Sequence, residues 1–120
     1  MLFRSIDTVE FTFYEAINTT SALTTTQYVS GNKIYAYSAS YDVPSFQNAR
    51  VVVNDVEVLN SNLRGHNLVV LDTYGDVVST SQYDTYGSAA AMTYLANALN
   101  AVDSGNIVVL VVYEIGRAHV

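Results

Sequence analysis

Four side chains in this sequence have the chemistry to meet a ligand. Arg64 and His66 sit in the run Arg64-Gly65-His66-Asn67, and Asp84 and Tyr86 in the run Asp84-Thr85-Tyr86-Gly87-Ser88. A tyrosine ring offers an apolar face on which a pyranose stacks, and a carboxylate accepts hydrogen bonds from sugar hydroxyls. The guanidinium and the imidazole are further groups that reach a bound molecule. The same runs also have a structural reading. Gly65 supplies the positive φ that a tight strand entry requires. Asn67 bonds its neighbouring backbone. Asp84 or Thr85 holds loop amides, with the negative charge near a helix N-terminus. For Asp84 this capping role is the favoured reading.

No catalytic residue, metal ligand set or cofactor site is expected. The sequence has no G-x-S-x-G elbow, phosphate loop, dinucleotide fingerprint or H-E-x-x-H zinc motif. The carboxylates show no spacing that singles out an acid and a base. Without cysteine there is neither a disulfide nor a Cys-based zinc site. His66 lacks a second ligand, and Asp72 and Asp76 flank a turn without the dense oxygen pattern of a calcium loop.

The elements that position these groups follow from periodicity. Val9–Tyr14 alternates as a strand with Phe11 and Phe13 on one face. Residues 18–26 are Thr-rich and read as a loop or a weak strand. Strands at Gln27–Ser30 and Lys33–Ser38 flank a Gly31-Asn32 turn. Tyr35 and Tyr37 lie on one face and Ile34 and Ala36 on the other. Tyr28, Tyr35, Tyr37 and Tyr41 line an exposed sheet face or serve as ordinary half-buried packing. Tyr41–Asn48 is a loop around Pro44. Arg50–Val53 and Val56–Leu59 flank a second tight turn at Asn54-Asp55. Asn60–Gly65 is a turn. Asn67–Asp72 is a strand buried on both faces, Gly75 marks the next turn, and Val77–Tyr83 returns. A helix over about residues 88–102 begins at Ser88, carries a Met92, Leu95, Leu99, Val102 stripe and stops at Gly105. Ile107–Tyr113 closes as a buried strand. The fold class is α+β: β-rich, sandwich-like, with antiparallel or mixed sheets and one main helix packed on a sheet.

The chain has 120 residues, half of them hydrophobic, with 11 acidic against 5 basic side chains and a net charge of −6. That balance excludes a nucleic-acid partner, because too few cations are present to neutralise a run of phosphates. No apolar run approaches the roughly 18 residues of a membrane span, so membrane insertion is not expected. The two ends read differently from the rest. The codons GTG CTC TTC CGA TCT, with GTG as the start, encode Met1–Ser5, and the opposite strand of the same DNA encodes Ile-Gly-Arg-Ala-His as at 115–119. Residues 1–5 and 115–120 are therefore expected to be sequencing-adapter-derived, with one domain at 6–114. Within 6–114 the three basic side chains Lys33, Arg50 and Arg64 face 11 acidic ones, a balance of −8.

The order from Arg64 to Tyr113 is Gly turn, strand, turn, strand, D-T-Y-G-S loop, helix, Gly and apolar strand. With the R-G-x-N run before the first strand, it resembles the ILEI/PANDER domain (interleukin-like EMT inducer, also called GG domain) over about Val51 to Glu114. The resemblance implies a sandwich-like pair of sheets with flanking helices. It implies a recognition module rather than an enzyme. The leading expectation is a glycan or cell-surface ligand, within a larger microbial extracellular or phage tail protein. The alternative is a structural connector that holds protein partners in a phage tail or other surface assembly. Localisation is then extracellular or virion-associated. Animal members use disulfides, so their absence here points to a microbial or viral source. Members continue past the Ile107–Tyr113 strand, so the domain is expected to be incomplete at its C-terminus, leaving an uncovered edge and apolar surface prone to association.

Overall fold

The computed structural model describes residues 2–5, 11–13, 23–38 and 47–113. The strands are β1 (Leu2–Ser5), β2 (Phe11–Phe13), β3 (Leu23–Val29), β4 (Asn32–Ser38), β5 (Ala49–Val53), β6 (Val56–Ser61), β7 (Gly65–Leu71), β8 (Val77–Tyr83) and β9 (Ile107–Tyr113), with one helix, α1 (Ala89–Asn100), between the last two. They form a five-stranded sheet in the order β2-β1-β9-β7-β8 and a four-stranded sheet in the order β3-β4-β5-β6. Every pairing among the described strands is antiparallel.

Strand composition decides position. β7 and β9 hold continuous apolar runs at 68–71 and 107–112 and run through the centre of the larger sheet, where they serve two cores. One face of the pair, Val69, Leu71, Ile107, Val109 and Val111, packs on Ile34, Ala36, Val51 and Val53 of the second sheet. The other face, Leu68, Val70, Val108 and Leu110, packs beneath Leu95, Ala98, Leu99 and Val102. The layers are therefore sheet, sheet, helix. Each such Val or Leu contributes about 1.5–3 kcal/mol when withdrawn from water. β4 is covered on one face only, and its alternation shows it: Ile34 and Ala36 are buried while Tyr35 and Tyr37 are half exposed.

Several elements depart from the pattern read in the sequence. The first hairpin turns at Ser30-Gly31, both at positive φ (49° and 79°), one residue earlier than Gly31-Asn32. Asn32 is buried, and its side chain donates to Thr73 O (2.9 Å) and accepts from Asn54 Nδ2 (3.0 Å), so it belongs to the strand end and not to the tip. The Thr-rich segment is strand from Leu23 onward; residues 18–22 lie outside the described residues. So do Val9, Glu10 and Tyr14 beside β2, and Tyr41–Phe46 of the expected loop. β6 extends to Ser61, because the buried Ser61 Oγ donates to Asn67 Oδ1 at 2.7 Å, which narrows the following turn to 62–64.

The helix ends at Asn100, with Ala101 as a right-handed cap (φ −90°, ψ −2°). Gly105, at φ 90°, belongs instead to the turn closed by Asn106 N–H on Asp103 O at 3.2 Å. Met92 is 52 % exposed and Ala91 is buried, so the inward line runs through Ala91, Leu95, Ala98, Leu99 and Val102. A position four residues before Leu95 lies on that line, whereas Met92, three before, falls on the flank. Leu2–Ser5, set aside on the DNA argument, form β1 and pair with both β2 and β9. β9 is thus paired on both sides, by β1 and by β7. No helix among the described residues is long and apolar enough to cross a membrane.

Candidate functional site

The two sequence runs form one clasp. The register of β7 on β8 places His66 opposite Tyr83, so the residues before His66 meet those after Tyr83. Arg64 donates from Nε to Asp84 Oδ1 (3.0 Å) and from Nη2 to Asp84 Oδ2 (2.8 Å). His66 Nδ1 shares a hydrogen bond with Thr85 Oγ1 at 2.6 Å. Between them Gly65, at φ 106°, lies so close to β8 that a Cβ there would sit 2.1 Å from Tyr83 O. The side-chain amide of Gln82 donates to Arg64 O and ties the entry of β7 to the edge strand.

The loop after β8 is wound on the same carboxylate. Asp84 Oδ1 accepts from Gly87 N–H at 3.0 Å, and Asp84 O accepts from Ser88 N–H at 3.0 Å. A Cβ on Gly87 would stand 2.6 Å from Arg64 Nη2, so glycine lets the loop close over the ion pair. Ser88 holds the N-cap position in extended geometry (φ −144°, ψ 121°), but its side chain makes no cap bond. Asp84, four residues before the N-cap, organises the helix entry instead. Arg64 holds the Asp84 carboxyl below its ordinary range, with help from the Gly87 amide. The guanidinium carbon of Arg64 also lies 4.7 Å from the centroid of the Tyr86 ring, a cation–π distance.

Arg64, Asp84 and Tyr86 are thereby gathered at one partly exposed surface. His66 is not part of that surface. It is 6 % exposed, and burial pushes its imidazole down to about 4. Asn67, fully buried, accepts from Ser61 and donates to Leu63 O at 3.0 Å, which fixes the turn before Arg64. At the opposite end of β7, Gly75 (φ 85°) lets the turn approach Asn32, where a Cβ would be 2.6 Å from Asn32 Oδ1. Asp72 Oδ1 accepts from Tyr74 N–H (2.9 Å) and Asp76 N–H (3.0 Å), so its carboxylate orders a turn. Among the described residues no group of three or more His, Cys, Asp or Glu side chains could hold a metal. On the outer face of the second sheet, Tyr28 pairs across from Lys33, Tyr35 from Thr26 and Tyr37 from Thr24, which gathers the three tyrosines; Tyr41 lies outside the described residues.

A groove of about 450 Å³ that the sequence reading did not anticipate opens between β6 of one sheet and β8 of the other. Asn60, Ser61, Asn62, Thr80, Ser81 and Gln82 line it with amides and hydroxyls, and Leu59 and Leu63 add apolar surface. The lining carries no formal charge. Its signal in the sequence is the Asn60-Ser61-Asn62 run and the hydroxyl-rich Ser79-Thr80-Ser81-Gln82 strand. The Gln82 bond to Arg64 O joins this groove to the clasp.

Residues 64–119 match the family model described as interleukin-like EMT inducer. The match begins on Arg64, takes in both runs of the clasp, α1 and β9, and spans just under half of the chain. The resemblance read from those runs is borne out over that stretch. Comparison with curated proteins and with solved structures gives no match.

Proposed function

We propose, from the interleukin-like EMT inducer match over residues 64–119, that this chain is a non-enzymatic recognition module for a neutral, polyhydroxylated ligand such as a cell-surface glycan. The observation that carries this reading is the β6–β8 groove, whose amide and hydroxyl lining offers donors and acceptors without a net charge. Sugar hydroxyls need such groups in number, and the C–H face of a pyranose packs on apolar surface of the kind Leu59 and Leu63 present. Tyr86 stands against Arg64, whose backbone carbonyl takes the side-chain amide of the groove residue Gln82. The module would serve a larger microbial extracellular or phage tail protein, placed outside the cell or on the virion.

The test is a glycan array probed with the 120-residue chain, followed by calorimetry with the best saccharide. Asn62→Ala and Tyr86→Ala are expected to weaken binding at least about tenfold, the worth of one or two lost polar or stacking contacts. Absence of any saccharide signal, or two variants that bind like the wild type, would overturn the reading. A second reading, a structural connector that joins protein partners, is favoured by one observation: β8 is an edge strand whose first four residues, Val77–Thr80, are exposed.

A further inference from the structure

The four-stranded sheet buries one face against the five-stranded sheet. The helix packs on the far side of the five-stranded sheet, so among the described residues no helix covers the outer face of β3–β6. Tyr28, Tyr35 and Tyr37 all stand on that face. In β4 the buried Ile34 and Ala36 point inward, so Tyr35 and Tyr37 point outward. Cross-strand partners share a face, and Tyr28 lies opposite Lys33, two residues before Tyr35.

The three rings form a row along the strand direction. With Tyr28 as its start, Tyr35 stands about 7 Å and Tyr37 about 13 Å further on, by the rise of a strand. Their neighbours leave them uncovered. Thr26 and Val52 flank Tyr35 and Thr24 flanks Tyr37, all too short to cover a phenol ring, and Arg50 on the other side of Tyr37 is turned to Glu57. Tyr28 is 74 % exposed, and Gln47 N–H donates to Tyr37 Oη at 3.3 Å, which holds the far end of the row. Both cations of the face are paired: Lys33 Nζ lies 2.6 Å from Asp55 Oδ1, and Arg50 Nε lies 2.7 Å from Glu57 Oε1. The face is thus electrically balanced on a chain of net charge −6.

We propose that this tyrosine row is a second glycan-binding surface, a stacking platform for an extended, neutral polysaccharide chain. It takes its ligand class from the glycan reading above and its place from the row, which shares no residue with the β6–β8 groove. The groove surrounds its ligand with amides and hydroxyls, whereas the row offers phenol faces in line. Successive pyranoses of an extended chain present their C–H faces in line as well. Electrical balance selects the occupant. Rings in a row also stack nucleobases, but a phosphate chain needs free cations, and Lys33 and Arg50 are engaged. A basic partner needs free carboxylates, and Asp55 and Glu57 are engaged by the same two cations.

Depletion of the 120-residue chain from solution by insoluble cellulose and by insoluble chitin tests this. The wild type is expected to bind at least one polymer equally well at about 0.05 and 0.5 M NaCl, because no free charge takes part. Tyr28→Ala is expected to weaken binding about threefold and Tyr28→Ala with Tyr35→Ala at least about tenfold, while circular dichroism stays unchanged. Tyr35→Trp should retain binding, since it keeps a ring at the centre of the row. Tyr94→Ala, which removes an exposed tyrosine from the helix, should bind as the wild type does. The assay separates the two surfaces. Polymer bound with every soluble saccharide silent on the array would sink the groove and uphold the row; saccharides bound with both polymers left in suspension would sink the row alone. Double-variant binding equal to the wild type, a loss in Tyr94→Ala as large as in the double variant, binding that falls steeply with salt, or equal retention on casein-coated particles would each overturn the proposal.

Discussion

Arg64 and Asp84, twenty residues apart in the chain, meet through two parallel hydrogen bonds of 3.0 and 2.8 Å at the point where β7 begins and β8 ends. Their pairing turns two short sequence runs into one structural unit. Gly65 lets the strands approach, Thr85 takes the His66 ring, and Gly87 folds the loop over the guanidinium. The residues that carry the family resemblance thus hold one another.

A double-mutant cycle on this pair should give a modest coupling. Both side chains are about 40 % exposed, so water screens the attraction, and an ideal bidentate geometry lifts the expected value only to about 0.5–1 kcal/mol. Asp84→Ala should cost more than Arg64→Ala, because it also removes the acceptor of the Gly87 amide. Urea midpoints of the four proteins measure both quantities. Equal single-mutant costs would refute the loop-organising role of Asp84.

Glycine substitutions separate strain from collision. Gly31 has φ 79° with nothing within 4 Å of an added Cβ, so Gly31→Ala should cost about 1 kcal/mol from backbone conformation alone. Gly65→Ala must also displace Tyr83 O, backbone at the end of the β7–β8 ladder, and a loss above about 3 kcal/mol or failure to fold is expected. Thermal unfolding of the two variants side by side decides the order; a Gly65→Ala protein as stable as Gly31→Ala would show that β8 can yield.

Much of the scaffold was legible in the sequence, and the reason is local. Asn54-Asp55 tolerates the positive φ of a two-residue hairpin, and the continuous apolar runs at 68–71 and 107–112 suit central strands covered on both faces. Single-residue errors arose where a side chain is claimed by a distant partner. Asn32 is drawn into β4 by Thr73 and Asn54, from another hairpin each. The clasp was visible only as two separate runs, because the meeting of Arg64 with Asp84 depends on the β7–β8 register and its shift between Val70 and Leu71. The β6–β8 groove was not legible at all. It arises where edge strands of two different sheets stand apart, a relation that no periodicity within one strand encodes.

The inward line of the helix gives a direct stability contrast. Leu95 is 4 % exposed between Leu68, Val70, Val108 and Leu110, so Leu95→Ala should cost about 2–5 kcal/mol. Met92, half exposed on the flank, should lose within about 0.5 kcal/mol on truncation to Ala. Chemical denaturation of both variants measures the difference. Similar losses would restore Met92 to the buried stripe.

His66 gives the domain a defined acid response. Burial pushes the folded-state imidazole down to about 4 from an ordinary 6.5, so the native state keeps the ring neutral where the unfolded chain already binds a proton. The sign follows from linkage: stability from this group is complete above pH 6.5, falls as pH drops from 6.5 towards 4, and changes little below that. The interval corresponds to roughly 3 kcal/mol. Asp84, whose folded carboxyl is held low by Arg64, adds a loss only at more acid pH, and its exposure keeps that loss small. His66→Gln removes the titration and keeps a group able to bond Thr85. Urea midpoints of wild type and variant at pH 7, 5.5 and 4.5 should therefore diverge, with the wild type losing more between pH 7 and 4.5. Parallel midpoints across that range would show that the imidazole reaches solvent in the native protein and that the His66–Thr85 contact is not a buried one.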